Sequence, residues 1–289
     1  MALSLVVFGA SLLGFAGVFV KWGLVGGATP VTIGLYRMAF ALPGILWLSA
    51  RHGIKWGPGV AWAAIAGVAF AGDLNLWHLS MQDTSAANST FIVCGLTPVW
   101  VALFSVAVYH TRYRWSGWLG QALGVSGALV LALARGARVG TGRGEVLAMM
   151  ASFCYATFSL TLSRSRRHLS ARQALLWMSL GSLASFTLLE LALREPLRGY
   201  TELGWAGLIG LGLVVQLLAW LIINRGLGKV SVALGTLALS VQQIATPFLA
   251  AWLLRESLKP LGLLGGLLIV GGIVLVATGE KQVRLGLSQ

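Results

Sequence analysis

Ten mostly apolar stretches, each near the length of a membrane-crossing helix, follow one another with only short gaps between them. They are Ala2–Val20, Thr29–Ala50, Gly57–Ser80, Ala86–Tyr109, Trp115–Ala134, Glu145–Leu162, Ala174–Leu193, Leu203–Asn224, Val230–Leu254 and Leu261–Thr278. A spanning helix needs about 20 apolar residues. Composition agrees: hydrophobic residues make up 57% of the chain and charged residues 10%. A soluble domain carries about 25% charged residues. With a mean hydropathy of +0.83, no water-soluble core could hide so much apolar surface. The expected partner of the chain is a lipid bilayer.

The net charge is +13 and the isoelectric point about 10.9. A nucleic-acid-binding protein shows such values too, but here the charges sit in the gaps between apolar runs. They read as topology signals, and no nucleic acid is expected as a partner. Numbering the gaps alternately, one side collects 12 of the 21 basic residues and the other collects 8, with Arg37 inside a helix. The richer side is expected to be cytoplasmic, which puts both termini inside. Cys94 and Cys154 both lie within apolar stretches and form neither a metal pattern nor a disulfide framework. Ala2–Val20 has no basic leader before it, so it reads as a span and not as a cleaved signal peptide.

The segment Thr84–Ala132 returns, degraded, as Lys229–Ala277. Gly117, Gly120 and Gly127 reappear as Gly262, Gly265 and Gly272, a constant offset of 145 residues. Thr97 and Pro98 fall on Gln242 and Gln243 at the same offset. A repeat of about half the chain length means two copies of one unit. With five spans per copy, the second copy enters the membrane from the opposite side. The expected fold is an all-α membrane protein of ten transmembrane helices in two inverted five-helix repeats. The first repeat covers residues 1–134, a Gly/Arg hinge 135–144, the second repeat 145–280 and a cytoplasmic tail 281–289. Inverted membrane repeats are a signature of secondary transporters, whose substrate lies near the midplane between the repeats.

Gly120, Gly124 and Gly127 recur at helical spacing, and Gly262 and Gly266 form a small-xxx-small pair. Small residues let helix backbones approach closely in lipid. These glycines mark the fifth and tenth helices as packing helices. No Gly-Lys-Ser/Thr follows them, so a phosphate loop is not indicated, and neither ATP nor any other cofactor is expected.

The run G-F-A-G-V-F-V-K ending at Lys21, Y-R-M-A-F around Arg37, T-S-A-A at Thr84–Ala87, Thr97-Pro98 and L-G-Q-A-L-G-V-S-G at Leu119–Gly127 follow in order. That order resembles the EamA-type unit of the drug/metabolite transporter superfamily. The second unit keeps R-E-S-L at Arg255–Leu258 and the glycine-rich close. It departs with Gln242-Gln243 in place of Thr-Pro, and the first unit has Thr111 where the family places a Glu. Within the superfamily, D-L-N-L-W-H-L-S-M-Q at Asp73–Gln82 and the Gln pair are most similar to YddG-type exporters of aromatic and neutral amino acids. The resemblance implies a ten-helix exporter of the bacterial inner membrane with a central cavity lined by both repeats.

Polar groups inside lipid-spanning helices are costly and are therefore functional candidates. Asn75 and His78 are three residues apart on one helix face, and Asp73 points elsewhere on the same helix. These groups either bind substrate or protons, or tie the third helix to its neighbours. Arg37 either takes a carboxylate or snorkels to the interface. Glu190 is expected to snorkel, and Lys21 to end the first helix. Gln242 and Gln243 face different directions, one of them toward a cavity. Pro98 and Pro247 interrupt the hydrogen bonding of their helices. Trp22, Trp56, Trp115 and Trp205 fit an interfacial belt. Trp100 and Tyr155 supply an aromatic wall, with lipid-facing packing as the plainer alternative.

The expected site thus comprises Asn75, His78, Trp100, Tyr155, Gln242 and Gln243 for substrate, with Asp73 and Arg37 for proton or carboxylate coupling. The expected substrate is an amino acid with a large apolar side chain. A multidrug or nucleotide-sugar carrier is the competitor in the same class, although Arg37 alone cannot neutralise several phosphates. An intramembrane enzyme would have to use Asp73 and His78, with no nucleophile motif or metal cluster beside them. No catalysis and no obligatory protein partner are expected.

Overall fold

A computed structural model describes residues 1–54, 56–84, 86–109, 115–134, 142–254 and 260–286. Among these residues the secondary structure is helical throughout and arranged in ten columns. We label them α1 (Ala2–Val25), α2 (Pro30–Ala50), α3 (Pro58–Asp83), α4 (Ala86–Tyr109) and α5 (Trp115–Ala134). The second set is α6 (Arg143–Ser165), α7 (Ala171–Leu193), α8 (Glu202–Leu227), α9 (Val232–Leu239 continued by Val241–Leu254) and α10 (Pro260–Gly286). Seven columns are, as described, long and apolar enough to cross a membrane, and α4 and α9 contain the shorter apolar helices 92–107 and 232–245.

Local chemistry sets the starts. Thr29 and Thr32 form a reciprocal cap ahead of Pro30, with the Thr29 amide donating to Thr32 Oγ1 at 2.9 Å. Ser170, Thr201 and Ser231 each accept a backbone N–H of the following turn. Such side-chain oxygens satisfy amides that have no intrahelical acceptor.

Several expectations are corrected. α1 runs to Val25, so Lys21 lies inside it instead of ending it. The last helix continues to Gly286 through most of the expected tail. Residues 135–141 of the hinge, Thr111 and the Arg255–Leu258 motif fall outside the described residues. Glu190 does not snorkel. It is buried, because the chain after α7 folds back over it, with Tyr36 Oη donating to Leu197 O at 2.7 Å. Burial and the nearby Glu190 carboxylate push the Glu195 carboxyl up.

Neighbouring columns alternate in direction. Ser165 Oγ donates to Gly59 O at 2.9 Å, and Gly226 lies against Ala2 O, so these ends share the N-terminal face. The opposite, far face joins Gly26 to Gly204 and Thr84 to Glu145, whose Oε1 accepts at 2.7 Å.

The helix pairings come in matched sets. α3 packs on α6 and α8 on α1; α3 also packs on α7 and α8 on α2; α4 packs on α6 and α9 on α1. The remaining large pairs, α2–α7 and α5–α10, join corresponding helices of the two units. Exchanging the first five helices with the last five reproduces the scheme, as an inverted repeat requires. The α5–α10 seam is a glycine contact in both directions. A Cβ on Gly120 would stand 2.8 Å from Gly272 O, and one on Gly272 would stand 2.5 Å from Gly120 O.

Candidate functional site

Arg37 sits about 10 Å into α2 from Pro30, at 1.5 Å per residue. Its side chain is only 5% exposed, so it does not snorkel. Nε donates to Gln216 Oε1 on α8 at 3.0 Å, and the guanidinium lies 5.2 Å from the centre of the Phe70 ring. Among the described residues its two terminal nitrogens make no hydrogen bond. Gln216 spends its other end on α7, where Nε2 donates to Ser179 Oγ at 3.4 Å. The cation is thus held from the second repeat while the terminal donors of its fork stay unused.

Asp73, on α3, is 5% exposed and lies within electrostatic reach of Arg37. The two make no direct ion pair, and Asp73 Oδ1 is buried without a hydrogen-bond partner. The same helix carries Asn75 Oδ1, Trp77 Nε1 and both ring nitrogens of His78 in that condition. His78 sits beside the backbone of Pro30 without reaching hydrogen-bond geometry. An unpartnered buried polar group costs about 1–3 kcal/mol. Such a concentration on one helix marks a place for water or a ligand.

Tyr155, on α6, is 7% exposed and faces the same charges. Its ring stacks on Phe158 at 5.5 Å, and Phe158 meets Phe70 at 4.9 Å and Trp220 at 5.2 Å. Of these four rings Phe70 stands directly beside Arg37, and the other three follow from it ring to ring. From the N-terminal face a narrow cleft, with free space of only about 10 Å³, runs between α6, α8 and α9 as far as Phe158. Its surface is mostly apolar, although Ser159, Ser163, Ser231 and Thr236 are among the lining residues.

Arg37, Asp73, His78 and Tyr155 are thus brought into one neighbourhood. Gln242 joins it from α9, with Nε2 at 3.5 Å from Cys94 Sγ, and Cys94 is in turn near Tyr155. Gln243 is buried. Trp100 stands at the α4–α6 seam, its Nε1 donating to Ser152 Oγ at 3.0 Å and its ring against the half-exposed Phe153. Sequence reasoning missed Gln216, Ser179, Phe70 and Phe158. Gln216 had a signal: it is the single polar side chain in the apolar run Leu203–Ile223.

Ten helices in two inverted units, with Arg37 and Asp73 buried among them, are the architecture of a membrane carrier for small molecules. The chain belongs to the EamA-like transporter family, whose sequence profile matches residues 1–133 and again 142–278. Its fold is also that of a protein of known crystal structure, with a TM-score of 0.80 over 97% of this chain and 98% of that one. The two are 19% identical, so the likeness concerns fold alone. No curated protein matches the chain.

Proposed function

We propose that this transporter exports amino acids with large apolar side chains across the bacterial cytoplasmic membrane, with both termini in the cytoplasm. The observation that carries the reading is the pair Arg37 and Asp73. A basic and an acidic side chain are buried within electrostatic reach of one another without pairing: beyond the Nε bond Arg37 makes no hydrogen bond among the described residues, and Asp73 Oδ1 has no partner. Burying a charge without compensation costs several kcal/mol. A zwitterion bridging the pair offsets that cost at both ends, its carboxylate on the Arg37 fork and its ammonium on Asp73. Arg is suited to the first contact because its planar fork binds carboxylates through two parallel hydrogen bonds.

The rings of Tyr155, Phe158, Phe70 and Trp220 lie where the amino acid's side chain would project. His78, Asn75 and Gln242 supply further polar contacts around the ligand, while Trp100 would act only through α6, to which its Nε1 is bonded at Ser152. The narrow cleft on the N-terminal face would have to widen to load the ligand, while on the far face Thr84 bonds Glu145 and Gly26 packs on Gly204. Alternating access then carries the ligand outward. No nucleotide site is needed, since the gradient of the substrate or of protons supplies the work.

The test is uptake of radiolabelled phenylalanine into liposomes holding the purified chain. Saturable uptake competed by tryptophan and leucine is expected. Uptake equal to that of empty liposomes would remove the amino-acid assignment and leave the family membership intact.

A further inference from the structure

Within α8 the stretch Leu211–Ala219 is a π-helix. Such segments are rare and occur mostly at functional sites. This one carries two residues that address Arg37. Gly212 brings the α8 backbone against α2, where a Cβ would stand 2.5 Å from Phe40 Cβ and 3.3 Å from Arg37 O. Four residues on, Gln216 is fully buried and accepts from Arg37 Nε at 3.0 Å. Its amide is fixed in orientation by Arg37 Nε, which can only donate, and its Nε2 then donates to Ser179 Oγ on α7. A flipped amide would put a donor against a donor at Arg37.

The choice of nitrogen matters. A guanidinium held through Nε keeps both terminal nitrogens available, and these present a carboxylate with two parallel donors. A partner on the facing hydrogens of the two terminal nitrogens would have occupied that fork. A neutral amide also leaves the full positive charge for the ligand, which a carboxylate partner would cancel.

We infer that Gln216 is a positioning residue for substrate recognition: it aims the Arg37 fork at the substrate carboxylate and leaves its charge intact. The inference rests on the amino-acid reading proposed above. Gln216 touches no substrate. It determines whether the carrier prefers a molecule with a carboxylate over the same molecule without one.

The experiment is equilibrium binding of phenylalanine and of phenethylamine, its analogue without the carboxylate, to the full chain in nanodiscs. The parent protein binds phenylalanine the more tightly. Gln216→Leu weakens phenylalanine binding about tenfold, in line with loss of a hydrogen bond to a charged group, and leaves phenethylamine unchanged. Gln216→Glu keeps the size and the acceptor but pairs its charge with Arg37. It weakens phenylalanine and strengthens phenethylamine, a crossover that a merely structural role would not produce. Should the Leu variant not fold, the Glu variant carries the test.

If both variants keep the parental preference while Arg37→Gln abolishes it, the positioning role is wrong and the amino-acid reading stands. If Arg37→Gln keeps the preference as well, the carboxylate is bound elsewhere and both readings fall.

Discussion

α3 and α8 occupy corresponding places in the two repeats, each packed on the first helix and the second helix of the opposite unit. They use their polar residues in opposite ways. α3 is an uninterrupted α-helix that leaves Asp73 Oδ1, Asn75 Oδ1, Trp77 Nε1 and both His78 nitrogens without partners. α8 coils into a π-helix at its centre and bonds Gln216 at both ends, to Arg37 and Ser179. A symmetric frame thus holds an asymmetric set of polar groups: one helix leaves them without partners, and its counterpart holds the Arg37 cation. The division is not absolute, since Trp220 Nε1 and Asn224 Oδ1 on α8 also lack partners.

The largest expected effect strikes what the two helices share. Gly67 of α3 lies so close to α7 that a Cβ would stand 2.1 Å from Met178 O, and Gly212 of α8 is nearly as tight against α2. Val at either position should destabilise the fold by about 3 kcal/mol or more, from overpacking against backbone. Thermal unfolding in detergent measures this. Ala at Gly72, where a Cβ would meet only the Cys154 side chain, Sγ at 3.5 Å and Cβ at 4.0 Å, should leave the transition in place. Equal sensitivity at Gly67 and Gly72 would mean that α3 is not anchored as described.

A smaller effect separates the groups around the charges. His78→Gln and Gln242→Ala should each slow transport several-fold in liposomes without lowering the yield of inserted protein, as expected for loss of one hydrogen bond of about 1 kcal/mol. Trp100→Ala should slow phenylalanine and tryptophan more than threonine. Parental rates in all three would confine the site to α2, α3 and α6. The smallest effect belongs to the far-face ion pair of Arg143 and Asp83, at 3.5 Å and largely in solvent. Arg143→Ala should cost at most about 0.5 kcal/mol, as exposed pairs do. A larger loss in thermal unfolding would mean that this pair, and not the Thr84–Glu145 bond, closes the far face.

Much of the frame was legible in the sequence because a bilayer leaves the backbone few choices. Apolar runs of spanning length become helices, and charges gather in the gaps. His78, Asn75 and Asp73 were legible for the same reason, as polar residues with no cheap place in lipid. Arg37 was not resolved between binding and snorkelling. Its depth permits either, and what rules out snorkelling is burial with a bond to Gln216, 179 positions away. Glu190 was misread because helix position alone gives no warning of a following loop that folds back as a cover. The π-helix had no signal beyond Gly210 and Gly212 at its start. Its register depends on contacts with α2 and α7 that no local pattern encodes.

The central claim is that Arg37 and Asp73 hold the two ends of one zwitterion. It is tested most directly by counterflow in proteoliposomes with three ligands: phenylalanine, phenethylamine without the carboxylate, and 3-phenylpropionate without the amine. Arg37→Gln should lose phenylalanine by about tenfold or more while retaining phenethylamine, since only the carboxylate contact is gone. Asp73→Asn should lose phenylalanine to a similar degree while retaining 3-phenylpropionate. That reciprocal pattern is the predicted result. Variants that carry phenylalanine at the parental rate, or that lose all three ligands equally, would contradict the account.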